Sequence, residues 1–434
     1  MVSTLHRILL TALFLLAASA AWAAPVNVYR GTLGKAEVVM ELGQPQPDGT
    51  RTGRYFYRRH GVDIPLQGTL NQMAEALPLR AELLDSLEDV DSGPLFEDAE
   101  QRQIIWRARM QGNALVGEWR DGIHGKKLPF RLQRIARYDP EKIAPHGVEA
   151  VTNALLGTGS GVSVDVAITM QTTPYDYLRV AQHPLEQGKE IALAPDLAWR
   201  LVRDARTQFW YPRLTRHPSA KILAQTNAIL EQRHWVMSLE ALDCVASIYK
   251  GSWAAAGSLA GYEGESIQVT YLSHALMSVV ESGSIGCGGA HPHNHYDPFT
   301  LDLLRGGYLD FSRILRGVSY TEEGWREYSP ELFDFFEQSR FTRKDDEIDC
   351  GVHPGYMVPM FETSTSSSGS RQNTLSLVVS GAGHSWGACL GSGVSIPFSE
   401  LKPVLQPKAA PYLRNRCVHE MEIEENPWYP RKMQ

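Results

Sequence analysis

The first 243 residues contain no cysteine, and all five (Cys244, Cys287, Cys350, Cys389 and Cys417) lie in the second half. That excludes a disulfide scaffold for the N-terminal half, which must be held by packing. Beyond residue 23 no apolar run approaches the ~20 residues of a membrane-spanning helix. Neither a phosphate-binding glycine loop nor a dinucleotide fingerprint occurs, and there is no internal repeat. Excess positive charge is also missing: the formal net charge is −7, which argues against nucleic acid or anionic lipid as the main partner. Hydrophobic residues make up 43% and charged residues 21%, the balance of an ordinary folded chain.

The sequence opens with His6 and Arg7, an apolar run over 8–18 broken only by Thr11, and Ala21-Trp22-Ala23. This is the pattern of a cleavable signal peptide spanning residues 1–23. The expected protein is therefore exported to the periplasm, without a membrane anchor. In an oxidising compartment five cysteines form two disulfides and leave one thiol. Connectivity stays open, with Cys350–Cys389 favoured because each borders a strand pattern.

Three regions follow the leader. Residues 24–137 read as an antiparallel β meander or small barrel. In 35–42 (KAEVVMEL) Ala36, Val38, Met40 and Leu42 fall on one face. Further strand patterns cover 54–57, 64–66, 103–109, 114–119 and 128–135, with a helix around 73–84 as the single exception. Residues 138–161, with Asp139-Pro140 and the run GTGSG at 157–161, read as a linker. Residues 162–434 read as an α+β domain with helices packed on an antiparallel sheet. Its expected elements are a strand at 162–171, a helix at 196–210, and a longer helix at 219–238 capped by Ser219. Strands are expected at 267–272, 276–284, 299–304, 375–380 and 394–398, and a strand end or short helix at 309–315.

Four features bear on chemistry. Gly383-His-Ser-Trp-Gly387 has the form of a nucleophile elbow, which needs a strand before it and a helix after it. The strand pattern is there, but a glycine-rich stretch follows and leads into another strand, so the segment reads as a glycine-built turn. His291, His293 and His295 are spaced by two and would share a face of an extended chain, a pattern suited to Zn²⁺. The plainer reading is a loop of solvated or backbone-bonded histidines. The acidic run at 345–349 lacks the glycine and spacing of a calcium loop and reads as solvated surface. Among the tryptophans, core packing is the expectation for Trp106, Trp119, Trp199, Trp210 and Trp235. Trp253 and Trp386 lie in Gly- or Ala-rich segments and are the candidates for exposure.

The stretch 267–316 carries GGAH at 288–291, then Phe299-Thr-Leu-Asp302, Gly306-Gly307 and Leu309. Upstream stand Tyr211-Pro-Arg-Leu214 and a helix bearing Asn227. Downstream stand His384, Cys389 and the segment from Ile396 to Leu401-Lys-Pro403. In these features residues 162–410 resemble the extracytoplasmic domain of lysozyme-sensing anti-sigma factors, shared with cell-wall deacetylases and related envelope proteins. The resemblance implies an α+β fold and an ability to grip an envelope-attacking enzyme. A cytoplasmic segment, a retained membrane span and a deacetylase domain are all missing, so the resemblance does not extend to σ-factor control. The expectation is a binding protein without catalytic residues or cofactor that recognises, and inhibits, a lysozyme-like hydrolase or a competitor's toxin. Its contact residues would include His291, His293, His295 and Trp386. The competing expectations are a metal-dependent enzyme built on His291, His293 and His295, and a glycan-binding envelope module.

Overall fold

A computed structural model describes residues 25–75, 103–122, 124–139, 167–246, 265–285, 293–321, 326–338, 356–365, 371–381 and 384–413. They are mostly sheet, with few helices, and form two compact units, one from residues up to Gln182 and one from His183 onward.

The first unit is an up-and-down barrel. Its strands are Val26–Leu33 (β1), Ala36–Leu42 (β2), Thr50–Tyr57 (β3), Ile64–Thr69 (β4), Gln72–Glu75 (β5), Ile104–Gln111 (β6), Ala114–Asp121 (β7) and Lys127–Tyr138 (β8). Each pairs antiparallel with the next, and β8 pairs with β1 to close the barrel. Two-residue hairpins join β1 to β2 and β6 to β7, where Gly34 and Gly112 take φ of 56° and 59°. Such turns need the left-handed region that glycine enters without strain. Closure leaves no exposed sheet edge.

Strand alternation sends Val38, Met40 and Leu42 inward, where they pack with Tyr55, Trp106 and Phe130. The rings of Tyr55 and Trp106 meet edge to face with centroids 4.9 Å apart. Eight strands enclose about enough room for side chains alone, so the interior is a packed core. One carboxylate lies within it: Glu75 accepts from the Tyr55 hydroxyl and the indoles of Trp106 and Trp119 at 2.8, 2.8 and 2.7 Å. Outward positions of β6–β8 carry Arg and Lys, the reverse of the apolar band on a transmembrane barrel.

One side of the wall is covered by the helix Pro174–Val180 (α1), whose Tyr175 and Leu178 pack on Val28, Val39 and Phe56. Beside that contact lies a buried ion cluster. Arg54 reaches Glu41 at 2.9 Å, Asp63 at 3.0 Å and Asp176 at 3.3 Å, and stacks over the Tyr175 ring at 4.3 Å. Arg179 adds contacts to Asp63 at 3.4 Å and to the Gly61 carbonyl at 3.0 Å. Burial drives the Glu41 carboxyl above its ordinary range despite Arg54.

The second unit begins with a four-stranded sheet, Glu186–Gln187 (β9), Ile191–Ala194 (β10), Leu197–Arg203 (β11) and Trp210–Arg216 (β12). The helix Ala220–Ala246 (α2) packs Ile222, Leu230 and Met237 against it and against a second sheet. That sheet comprises Ser266–Leu272 (β13), Leu276–Ile285 (β14) and His293–Asp302 (β15). Asn227 ties α2 to β12 by accepting from the Leu214 amide at 2.8 Å and donating to its carbonyl at 2.7 Å. Then come the pair Val318–Tyr320 (β16) and Arg326–Tyr328 (β17), and the helix Pro330–Glu337 (α3). A third sheet follows, Met357–Thr365 (β18), Arg371–Val379 (β19) and Gly393–Pro397 (β20). Its Met360 and Val378 pack on Val280 of β14. No helix among the described residues is long and apolar enough to cross a membrane.

Several expectations are corrected. The segment 196–210 is not a helix but β11, a turn and the start of β12. Leu197, Leu201, Ala205 and Phe209 recur every four residues, and four is also a multiple of the strand period, so that spacing does not separate the two. Asp204 then breaks the strand by accepting from the Arg206 amide at 2.9 Å. Residues 72–75 are strand, where a helix was expected from 73; most of that segment lies outside the described residues. Residues 167–171 form a turn, closed by Thr169 and Thr172 hydroxyls 2.8 Å apart, and not a strand. Segment 384–389 is a 3₁₀ helix, and 309–315 contains one at Phe311–Arg313. Cys244 and Cys389 are each disulfide-bonded; Cys287, Cys350, Cys417, the linker core and Trp253 lie outside the described residues.

Candidate functional site

The β14–β15 hairpin places its residues in a register that decides which side chains meet. Gly283 faces His295, Glu281 faces Asp297 and Val279 faces Phe299. These six share one face, which turns toward α2; the alternate residues Val280 and Tyr296 turn toward β18 and β19. Toward Phe299 the face is apolar, and toward His295 it becomes charged.

His295 is the centre of the charged end. Its Nδ1 lies 2.9 Å from Asp297 Oδ2, and its Nε2 lies 2.8 and 2.9 Å from the two oxygens of Glu265. The Glu265 side chain is fully buried, that of His295 is 12% exposed and that of Asp297 is 45% exposed. Burial alone would push the imidazole pKa down, but the two carboxylates outweigh it and hold it up at about 10. In return His295 holds Asp297 below the ordinary carboxylate range, against its own burial. Ser380, following β19, donates to Asp297 Oδ1 at 3.3 Å.

A second ion pair continues the row. Arg233 of α2 crosses the face of Phe299 at 4.0 Å and binds Glu281 through Nε at 2.9 Å and through Nη2. Tyr211 of β12 donates its hydroxyl to the same carboxylate. Deeper in, the His234 imidazole stacks on Tyr211 with centroids 5.1 Å apart and lies 3.0 Å from Arg213 Nη2. Burial, with the Arg213 charge, lowers its pKa to about 3. The neutral ring thus accepts from Arg213 at Nδ1.

Exposed aromatics stand on both faces of β15. The 3₁₀ helix His384–Cys389 packs against β15: a Cβ on Gly387 would lie 2.8 Å from Asn294 Nδ2, and one on Gly391 would lie 2.9 Å from the Tyr296 ring. That seat leaves Trp386 40% exposed. Tyr356, 43% exposed, accepts from the Ser380 amide through its carbonyl. Tyr308, 54% exposed, takes a 3.4 Å contact from Arg233 through its hydroxyl.

The candidate residues named from sequence separate accordingly. His291 lies outside the described residues, and of His293 only its place at the start of β15 is described. His295 and Trp386 fall on segments packed together. An imidazole held cationic to about pH 10 is not a base at neutral pH, and its two nitrogens are both engaged by carboxylates. Metal ligation by His295 would require breaking one of those pairs. Among the described residues no three His, Cys, Asp or Glu side chains are grouped so as to hold a metal ion. Sequence reading missed Glu265, Arg233 and Glu281, because their contacts to the hairpin cross 16 to 48 positions of chain. No protein-family model and no curated protein matches this chain.

Proposed function

We propose that the protein is an exported, periplasmic binding protein that recognises and inhibits an envelope-attacking hydrolase. The grip is the charged end of the β13–β15 sheet with its bordering aromatics. The observation that supports this reading is the combination found there: part-exposed Asp297 and Arg233, set in buried ion pairs, with exposed Tyr308 on Arg233, exposed Tyr356 bonded to the Ser380 that donates to Asp297, and exposed Trp386 on the segment packed against the other face of β15. Tryptophan, tyrosine and arginine are the side chains that carry most binding energy at protein interfaces. Here Arg233 stands on helix α2, Trp386 on a 3₁₀ helix packed on β15, and Tyr356 and Tyr308 are held by backbone pairing to Ser380 and Leu301, so little conformational entropy is lost on docking. Resemblance of residues 162–410 to lysozyme-sensing domains suggests the class of partner.

The test is complex formation between the purified protein and a panel of lysozymes, amidases and phospholipases, each scored for residual activity. A stoichiometric complex with loss of activity, weakened tenfold or more by Trp386→Ala, is the expected result. Failure to bind any member overturns the reading. Stoichiometric Zn²⁺ that disappears in His293→Ala, together with such failure, would replace it with a metal-dependent activity.

A further inference from the structure

At the end of the barrel that carries the β1–β2 hairpin, the start of β2 and the turn after β3 enclose a cavity of about 410 Å³. Among the described residues it is lined by Ala36, Glu37, Tyr57, Arg58, Arg59 and His60. The one acid, Glu37, is already engaged: Arg30 Nε lies 2.7 Å from its Oε1, and Arg58 Nη1 lies 2.9 Å from its Oε2. Three guanidinium groups thus stand against one carboxylate, an excess of two positive charges. The side chains of Arg59 and His60 are exposed and make no hydrogen bond or ion pair with any described residue. Their turn is nonetheless fixed. The Tyr57 carbonyl accepts from the His60 and Gly61 amides at 2.8 and 2.9 Å, and the Gly61 carbonyl accepts from buried Arg179 at 3.0 Å. Arg58 is held from its other side, with Nη2 3.4 Å from Gln182 Oε1.

We infer that this cavity is a binding site for the phosphate of a small phosphomonoester. Its volume lies in the range of small-molecule pockets, about 300–1,000 Å³. Guanidinium groups grip phosphate oxygens through pairs of parallel hydrogen bonds. Above its second pKa of about 6 a phosphomonoester carries about two negative charges, which matches the excess. A monocarboxylate would leave one positive charge unmatched. The organic part has a seat as well. Tyr57, half-buried, stands edge to face on Tyr55 with ring centroids 5.5 Å apart, beside Ala36. A fixed aromatic ring in the wall of a cationic cavity favours an ester over bare inorganic phosphate. This inference is independent of the hydrolase-binding reading, which concerns the other unit.

The test is calorimetric titration of the full protein, at about pH 8 and low salt, with phenyl phosphate, inorganic phosphate and benzoate. Phenyl phosphate should bind one to one, about threefold or more tighter than inorganic phosphate and about tenfold or more tighter than benzoate. Arg59→Gln should weaken it about tenfold with an unchanged melting temperature, since the Arg59 side chain holds nothing else in place. Lys221→Gln, which removes an exposed cation of the second unit, should bind as the wild type does. Vesicles bearing phosphatidic acid separate the two sources of the group: competition by them assigns the phosphate to a lipid head, and no competition assigns it to a soluble ester. No saturable binding of phenyl phosphate, equal affinity for benzoate or for inorganic phosphate, undiminished affinity in Arg59→Gln, or equal loss in Lys221→Gln would each overturn the inference.

Discussion

Gly283 lies directly across the β14–β15 hairpin from His295, and the carboxylate of Glu265 fills the space that a side chain on Gly283 would need. A Cβ there would stand 2.2 Å from Glu265 Oε1. The missing side chain is what lets a buried acid reach the imidazole. Gly283→Ala should therefore push Glu265 off His295 and leave a buried carboxylate short of its partner. The expected loss is about 2–4 kcal/mol in urea unfolding, and the His295 pKa should fall toward its ordinary value in an NMR titration. An alanine variant as stable as wild type, with the titration unmoved, would count against this account.

The same contact sets a pH dependence. The His295 pKa rises from 6.5 to about 10 on folding, so the native state binds the proton more tightly than the unfolded chain does. Its stabilisation is complete below pH 6.5 and is lost as pH rises through about 10. The Asp297 shift has the opposite sign: its share is present above the ordinary carboxylate range and is lost as pH falls below it. Melting temperatures of wild type and His295→Gln should converge between neutral pH and pH 10. A constant gap across that range would show that His295 is not the titrating group.

Most barrel strands were legible because a wall with one dry face writes its period of two into the sequence. Val38, Met40 and Leu42 show it plainly. The short strand at 72–75 was not, since four residues carry too little period to outweigh the helix-like run after them. Trp106 and Trp119 went to the core, as expected of aromatics in strand patterns, and Trp386 stayed exposed in its glycine-rich setting. The partners of His295 were illegible for a different reason. Glu265 lies 30 residues from it, and nothing local marks Gly283 as room made for a third residue. Nor does local pattern show that Asp176, beyond the expected linker, returns 122 residues to meet Arg54.

Arg54 is surrounded by three carboxylates, Glu41, Asp63 and Asp176, with its own side chain only 6% exposed. Removing the cation would leave those acids facing one another, with Arg179 the remaining counter-charge in contact with Asp63 and Asp176. Arg54→Ala should cost about 3–5 kcal/mol and free α1 from the barrel wall. Limited proteolysis should then cleave near 174–180 well before the barrel itself is cut. An Arg54→Ala protein that resists cleavage there would show that apolar packing of Tyr175 and Leu178 is enough to hold the helix.

Glu75 offers a cleaner separation of charge from hydrogen bonding. Burial raises its pKa, while Trp119, Tyr55 and Trp106 pull it back by hydrogen bonding to the charged form. Because the net shift is upward, the wild-type barrel should lose stability as pH rises from the unfolded carboxyl value through the raised native one. Glu75→Gln keeps an acceptor oxygen and cannot ionise, so its stability should not follow that decline. Glu75→Ala instead strands a phenol hydroxyl and two indole N–H groups in the core, at about 1–3 kcal/mol each. Thermal melts of the three proteins at pH 4.5 and 7.5 distinguish the cases. Glutamine should gain on wild type as pH rises, whereas alanine should be the least stable at both. If glutamine proves as damaging as alanine, the carboxylate's charge is needed by its three donors, and the cost of burying it is repaid within the barrel.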